Sequence, residues 1–161
     1  MSDPTRPSSD PPLGRWSVEV RSSATAPVEE VWPLIGEARR WKEWSFLDRT
    51  ELSRAGTPVP DGVGAVRRFT SHGVGSTEEV VAWEPPHHLG YTILKGFPAR
   101  HYRADVLCTR EGTGTLITWS ATFDEKLPGT GHLMVLVVRA LLRHFATAVA
   151  RYADQQHPLA A

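Results

Sequence analysis

The chain has 161 residues, 40% hydrophobic and 22% charged, which suits one globular domain with a single sizeable core. Eighteen basic residues balance eighteen acidic ones, so no net field draws the chain to nucleic acid or to an anionic membrane surface. Cys108 is the only cysteine; an intrachain disulfide and a Cys-rich metal site are excluded, and a reducing, cytoplasmic compartment is the default.

Residues 1–14 are rich in Pro, Ser and Asp, lack the apolar core of a signal peptide and read as a disordered tail. Trp16, Val18, Val20 and Ser22 alternate with polar residues, the pattern of a half-buried strand. Pro27 then opens a short helix, with Glu29 and Glu30 near its positive end and Val28, Val31, Trp32 and Ile35 as its apolar stripe. Pro33 and Gly36 limit that helix to about two turns. A second short helix near Glu37 to Trp44 carries Trp41 and Trp44 on one side.

Strands are expected over Leu47–Arg54, Val63–Ser71, Thr77–Trp83, Leu89–Lys95, His101–Arg110 and Thr115–Phe123. The breaks between them are the Gly56–Gly62 loop, the Gly73–Gly75 turn, Glu84-Pro85-Pro86, Gly96-Phe97-Pro98 and Glu111-Gly112-Thr113-Gly114. With the first strand this makes seven, an antiparallel meander in which the first strand pairs elsewhere in the sheet. After Pro128-Gly129 a long helix runs from Thr130 to Tyr152, with Leu133, Leu136, Val137, Ala140, Leu141, His144, Ala148 and Tyr152 at helical spacing. Leu133 to Leu142 is apolar nearly all round, so its outer side is expected to be covered as well, a homodimer being one way. No apolar run reaches the roughly 18 residues that span a bilayer, and membrane insertion is not expected.

Several local patterns resemble the START/Bet v 1-like superfamily, in the branch of polyketide cyclase/dehydrase and lipid transport proteins. They are Ala26-Pro27-Val28-Glu29-Glu30-Val31-Trp32, Trp41-Lys42-Glu43-Trp44, Gly62-Val63-Gly64-Ala65-Val66-Arg67, Glu79-Val80-Val81-Ala82-Trp83-Glu84-Pro85-Pro86 and Gly112-Thr113-Gly114-Thr115 with Trp119. The resemblance covers residues 15–154, leaving 155–161 as a C-terminal tail. It implies an α+β helix-grip fold: a seven-stranded antiparallel sheet wrapped around the long C-terminal helix, with two short helices after the first strand. It also implies a cavity that takes a small hydrophobic, aromatic or polyketide-like ligand, and leaves open whether the ligand is only bound and carried or is cyclised and dehydrated; a third reading is a protein-interaction subunit that uses the apolar outer side of the long helix. No cofactor is implied, and a shared fold does not carry a reaction with it.

On that family geometry the face carrying Glu78 points inward, together with Tyr91, Ile93, Tyr102, Trp119 and Phe123. A one-residue slip would reverse every such assignment. Glu78 in an apolar cavity is a candidate general acid or base, and Tyr102 or Tyr91 a donor to a developing enolate oxygen. The alternatives are that Glu78 faces solvent or pairs with an arginine and that the tyrosines only cap the core. His144 on the helix stripe is a second candidate base, or a core or rim histidine. Of Arg67 and Arg68 one points inward, to hold a ligand carboxylate or to pair with a protein carboxylate. Leu141 is a wall residue, Phe97 a candidate lid and the Gly56–Gly62 loop another. His87-His88 has no Cys or acidic companions, and no metal is expected.

Overall fold

The computed structural model describes residues 14–158. The tail expected before Gly14 lies outside the described residues, as does the end of the C-terminal one. In chain order the elements are β1 (Trp16–Ala24), α1 (Val28–Gly36), a 3-10 turn (Ala38–Arg40), α2 (Trp41–Trp44), β2 (Arg49–Arg54), β3 (Val66–Ser71), β4 (Val74–Glu84), β5 (His88–Lys95), β6 (Ala99–Glu111), β7 (Gly114–Glu125) and α3 (Gly131–Gln156). The strands form one antiparallel sheet in the order β1-β7-β6-β5-β4-β3-β2. It is a meander from β2 to β7, to which β1 adds on the far side of β7.

Local chemistry sets the register. His72 and Gly73 both have positive φ, 51° and 80°, the two-residue turn whose twist matches an antiparallel hairpin. That turn places Arg67 of β3 directly opposite Glu78 of β4. Across the sheet, Val20 faces Trp119 between β1 and β7, and Tyr91 faces Ala104 between β5 and β6. Alternate residues are buried from Tyr102 to Cys108 in β6 (Tyr102, Ala104, Val106, Cys108) and from Thr115 to Phe123 in β7 (Thr115, Ile117, Trp119, Ala121, Phe123). Burial pushes the Cys108 thiol up to about 12, which leaves it an inert core group.

The helices between β1 and β2 are held by side chains where their backbones run out of partners. The indole N–H of Trp41 donates to the Ile35 carbonyl at 2.8 Å and that of Trp44 to the Leu34 carbonyl at 3.0 Å. Carbonyls at the end of α1 that have no helical partner are satisfied in this way. Asp154, on α3, accepts from the backbone N–H groups of Thr25 (2.7 Å) and Ala26 (3.0 Å), tying the β1–α1 corner to the last turns of the chain.

The phase of α3 differs from the expected stripe. Its buried residues are Gly131, Met134, Val138, Leu142, Phe145, Ala146, Val149, Ala150 and Ala153. Leu133, Leu136 and Val137 are exposed, and Leu141, Ala148 and Tyr152 are only half-buried. A segment that is apolar on nearly every face does not fix its own rotation. Its partners do: Gly131 sits so close to the Trp16 ring that a Cβ there would collide with it, and Phe145 packs on Trp41 and Trp119. By length and composition α3 is also apolar enough to cross a bilayer, but its inner face is committed to β1, β7 and α1.

Candidate functional site

Between the inner face of the sheet and α3 lies a pocket of about 190 Å³. Its walls are apolar and mostly aromatic: Trp41 from α2, Phe46 after it, Phe69 of β3, Ile93 of β5, Phe97 of the β5–β6 turn, and Leu141 and Phe145 of α3. Its polar side chains are Ser76 and Glu78 of β4, Tyr91 of β5 and Tyr102 of β6, on neighbouring strands. Gly96, with φ of 91°, supplies the left-handed turn that carries Phe97 to the mouth, where its ring meets Tyr102 edge-on at 5.4 Å.

Arg67 and Glu78 are a buried ion pair. Arg67 is fully buried and Glu78 is 3% exposed. One carboxylate oxygen, Oε1, accepts from both Nε of Arg67, at 3.0 Å, and its Nη2. Nη1 points at the Gly36 carbonyl at 3.5 Å, and the guanidinium carbon lies 5.1 Å from the Trp41 ring centre, with Phe69 and Tyr91 at 5.3 and 5.7 Å. Burial raises the Glu78 carboxyl above the ordinary range, by more than the charge and hydrogen bonds of Arg67 draw it back. Oε2 accepts no hydrogen bond from any described residue. Burial, reinforced by the Glu78 charge, also pushes the Tyr102 hydroxyl upward, so it stays a neutral donor. Tyr91 is raised as well, chiefly by burial, and its oxygen accepts from the Trp119 indole at 3.2 Å.

Six of the expected site residues line this pocket together: Glu78, Tyr91, Ile93, Phe97, Tyr102 and Leu141. Trp119 and Phe123 face inward too, but they are core. Trp119 is sealed against Trp41 and Phe145, and Phe123 stacks on Tyr102 at 6.1 Å. Three further expectations are corrected. Arg67 is not a free ligand-binding cation, because it is paired with Glu78 and does not line the pocket. His144 is not in the pocket: the observed phase of α3 turns it outward, where it is exposed against Phe46, 5.1 Å between ring centres. The Gly56–Gly62 loop is not a lid on the pocket either; its Val59, Pro60 and Asp61 border a separate groove of about 540 Å³ with Trp32 and Trp83. Phe69, Phe145 and Trp41 are wall residues that the sequence reading missed. Phe69 was legible as the next inward position after Arg67, whereas Phe145 needed the phase of α3.

His87 and His88 do not converge on a common point. The His87 ring meets the Cys108 carbonyl, while His88 pairs with Asp105 at 2.8 Å.

A curled antiparallel sheet closed by one long helix, with a pocket beneath that helix, is the START/Bet v 1 helix-grip architecture. The model for polyketide cyclase / dehydrase and lipid transport proteins matches residues 15–154, and the chain belongs to that family. Among solved structures it is similar to the protein XoxI from Bacillus cereus (TM-score 0.74, 16% identity, 88% of this chain and 97% of the other). It is similar also to a START superfamily protein from Mycobacterium smegmatis (0.73, 14%, 87% and 98%) and to Ara h 8.0201 (0.66, 17%, 87% and 98%). At such identities the likeness establishes the fold. No curated protein matches the sequence. Family and fold together support a protein that binds a hydrophobic ligand.

Proposed function

We propose that the protein binds one small hydrophobic or aromatic molecule in the pocket beneath α3. The observation that carries this reading is the pocket's make-up: aromatic and aliphatic walls around a few convergent polar groups, the usual pattern of a small-molecule site. Native mass spectrometry of the purified protein, set against its denatured mass, tests it. A noncovalent added mass that disappears on denaturation is the expected result. A bare chain that also takes up no toluene would refute it.

A second reading, cyclisation and dehydration of a polyketide-like substrate, is favoured by one feature. Glu78, with its raised carboxyl, and the neutral Tyr102 hydroxyl face the same space. Oε2 of Glu78 would take a proton from carbon and return it to a departing hydroxyl, while Tyr102 donates to the enolate oxygen. On this reading Tyr102→Phe abolishes turnover of an aromatic poly-β-ketone while affinity stays within about tenfold, 1.4 kcal/mol. Undiminished turnover would refute the role.

A further inference from the structure

We infer that the pocket selects an uncharged single ring bearing a hydrogen-bond donor, a phenol or aryl alcohol, and rejects carboxylates and amines. The inference deepens the binding reading above and rests on it.

The first ground is the polar inventory. Glu78 is almost wholly buried and lines the pocket, yet its hydrogen bonds all fall on one oxygen. Oε2 is left without a donor from any described residue and is not sealed off, so it is open to a water or to a ligand donor in the pocket. The Tyr102 hydroxyl, also buried and on the pocket wall, makes no hydrogen bond to any described residue. The acceptor Oε2 and the unspent O–H donors of Tyr102 and Tyr91, with the Ser76 hydroxyl also on the wall, therefore suit a group that both gives and receives, which a hydroxyl does.

The second ground is charge. Arg67 and Glu78 already neutralise each other, and Arg67 is not part of the pocket wall. A ligand carboxylate would bring a second anion beside Glu78, away from water, with no cationic side chain on the pocket wall to meet it. A ligand ammonium would meet a carboxylate whose charge is already taken, with the guanidinium close behind it. A neutral O–H avoids both penalties.

The third ground is size. An apolar cavity of about 150 Å³ holds benzene, so about 190 Å³ holds one ring with a short substituent. Pockets for drug-sized molecules run to about 300–1,000 Å³. A multi-ring ligand would require the Phe97 turn to open.

Calorimetric titration of the full chain at neutral pH tests the inference, with para-ethylphenol, para-ethylanisole, ethylbenzene, para-ethylbenzoate and para-ethylbenzylammonium as probes. The expected order puts para-ethylphenol at least tenfold tighter than the anisole and than either charged probe. Equal or tighter binding of the benzoate or the ammonium would overturn the inference. If ethylbenzene, the anisole and the phenol bind alike, the head-group inference falls and hydrophobic binding stands. If none of the five binds, both fall. Tyr102→Phe keeps the ring that packs on Phe97 and Phe123 and removes only the hydroxyl. It is expected to weaken the phenol severalfold and leave ethylbenzene unchanged, and an equal effect on both would count against the hydroxyl's part.

Discussion

The two halves of the Arg67–Glu78 pair are predicted to fail differently when the other is removed. Glu78→Gln leaves a fully buried guanidinium, which does not deprotonate in a protein. Breaking a buried pair from one side costs about 3–5 kcal/mol. The retained contact with the Trp41 ring at 5.1 Å puts this case near the lower end, about 3 kcal/mol. With a urea m-value of about 2 kcal/mol/M, the midpoint falls by about 1.5 M. Arg67→Met instead leaves a carboxyl that escapes the penalty by taking a proton. Burial already raises Glu78, and losing Arg67 removes both influences that lower it. Its folded pKa then lies further above the unfolded value of about 4.3, so stability is highest below that value. Stability is lost, at up to about 1.4 kcal/mol per pH unit, as pH rises toward the folded pKa. Urea melts followed by far-UV circular dichroism between pH 5 and 8 read both slopes. Arg67→Met should lose stability as pH rises from 5 until the folded pKa is reached, and Glu78→Gln should show no such slope. Parallel curves, or a Glu78→Gln cost under about 1 kcal/mol, would refute a buried, one-sided ion pair.

The phase of α3 predicts that Leu142→Ala, at a fully buried site, costs about 2–5 kcal/mol, whereas Leu136→Ala, on the exposed face, changes the urea midpoint little. Asp105 is raised by burial, but hydrogen bonds from Arg103 and His88 outweigh this and hold its carboxyl below the ordinary range. Its contribution is therefore present above the unfolded value of about 3.9 and lost as pH falls through the folded one. The deficit of Asp105→Asn, on the order of 1–2 kcal/mol at neutral pH, should narrow in thermal melts below about pH 4. Phe97→Ala removes the ring at the mouth, and stopped-flow mixing with para-ethylphenol should show faster association and still faster dissociation. Unchanged rates would mean that the Phe97 ring does not gate the pocket.

Much of the sheet is legible in the sequence because strand alternation is strict where one face is buried. Glu78, Tyr91, Ile93 and Tyr102 stand on the inner face for that reason. The Arg67–Glu78 pairing was within reach too. The two residues are equidistant from the His72-Gly73 turn, and a two-residue hairpin fixes the register. The helix was not legible in the same way. Between Leu133 and Leu142 hydrophobicity carries almost no phase information, and the rotation follows from Trp16 and Trp41, residues more than ninety positions upstream. His144 moved from pocket to surface on that point alone. Asp154 was also hidden because it meets backbone groups more than a hundred residues away, and the indole caps, though only six and ten residues from their carbonyls, follow no local capping pattern.

The rings around Trp41 give the molecule an optical property of its own. Trp41 stands 5.3 Å from Trp44 and 5.6 Å from Trp119, ring centre to ring centre, and it is also a wall of the pocket. Indole transition dipoles that close, held rigidly at fixed angles, couple and split into a paired near-ultraviolet dichroic band. A ring arriving beside Trp41 adds a further chromophore to that set. Occupancy of the site should therefore be visible as a change in band shape, with no label attached and no substrate turned over.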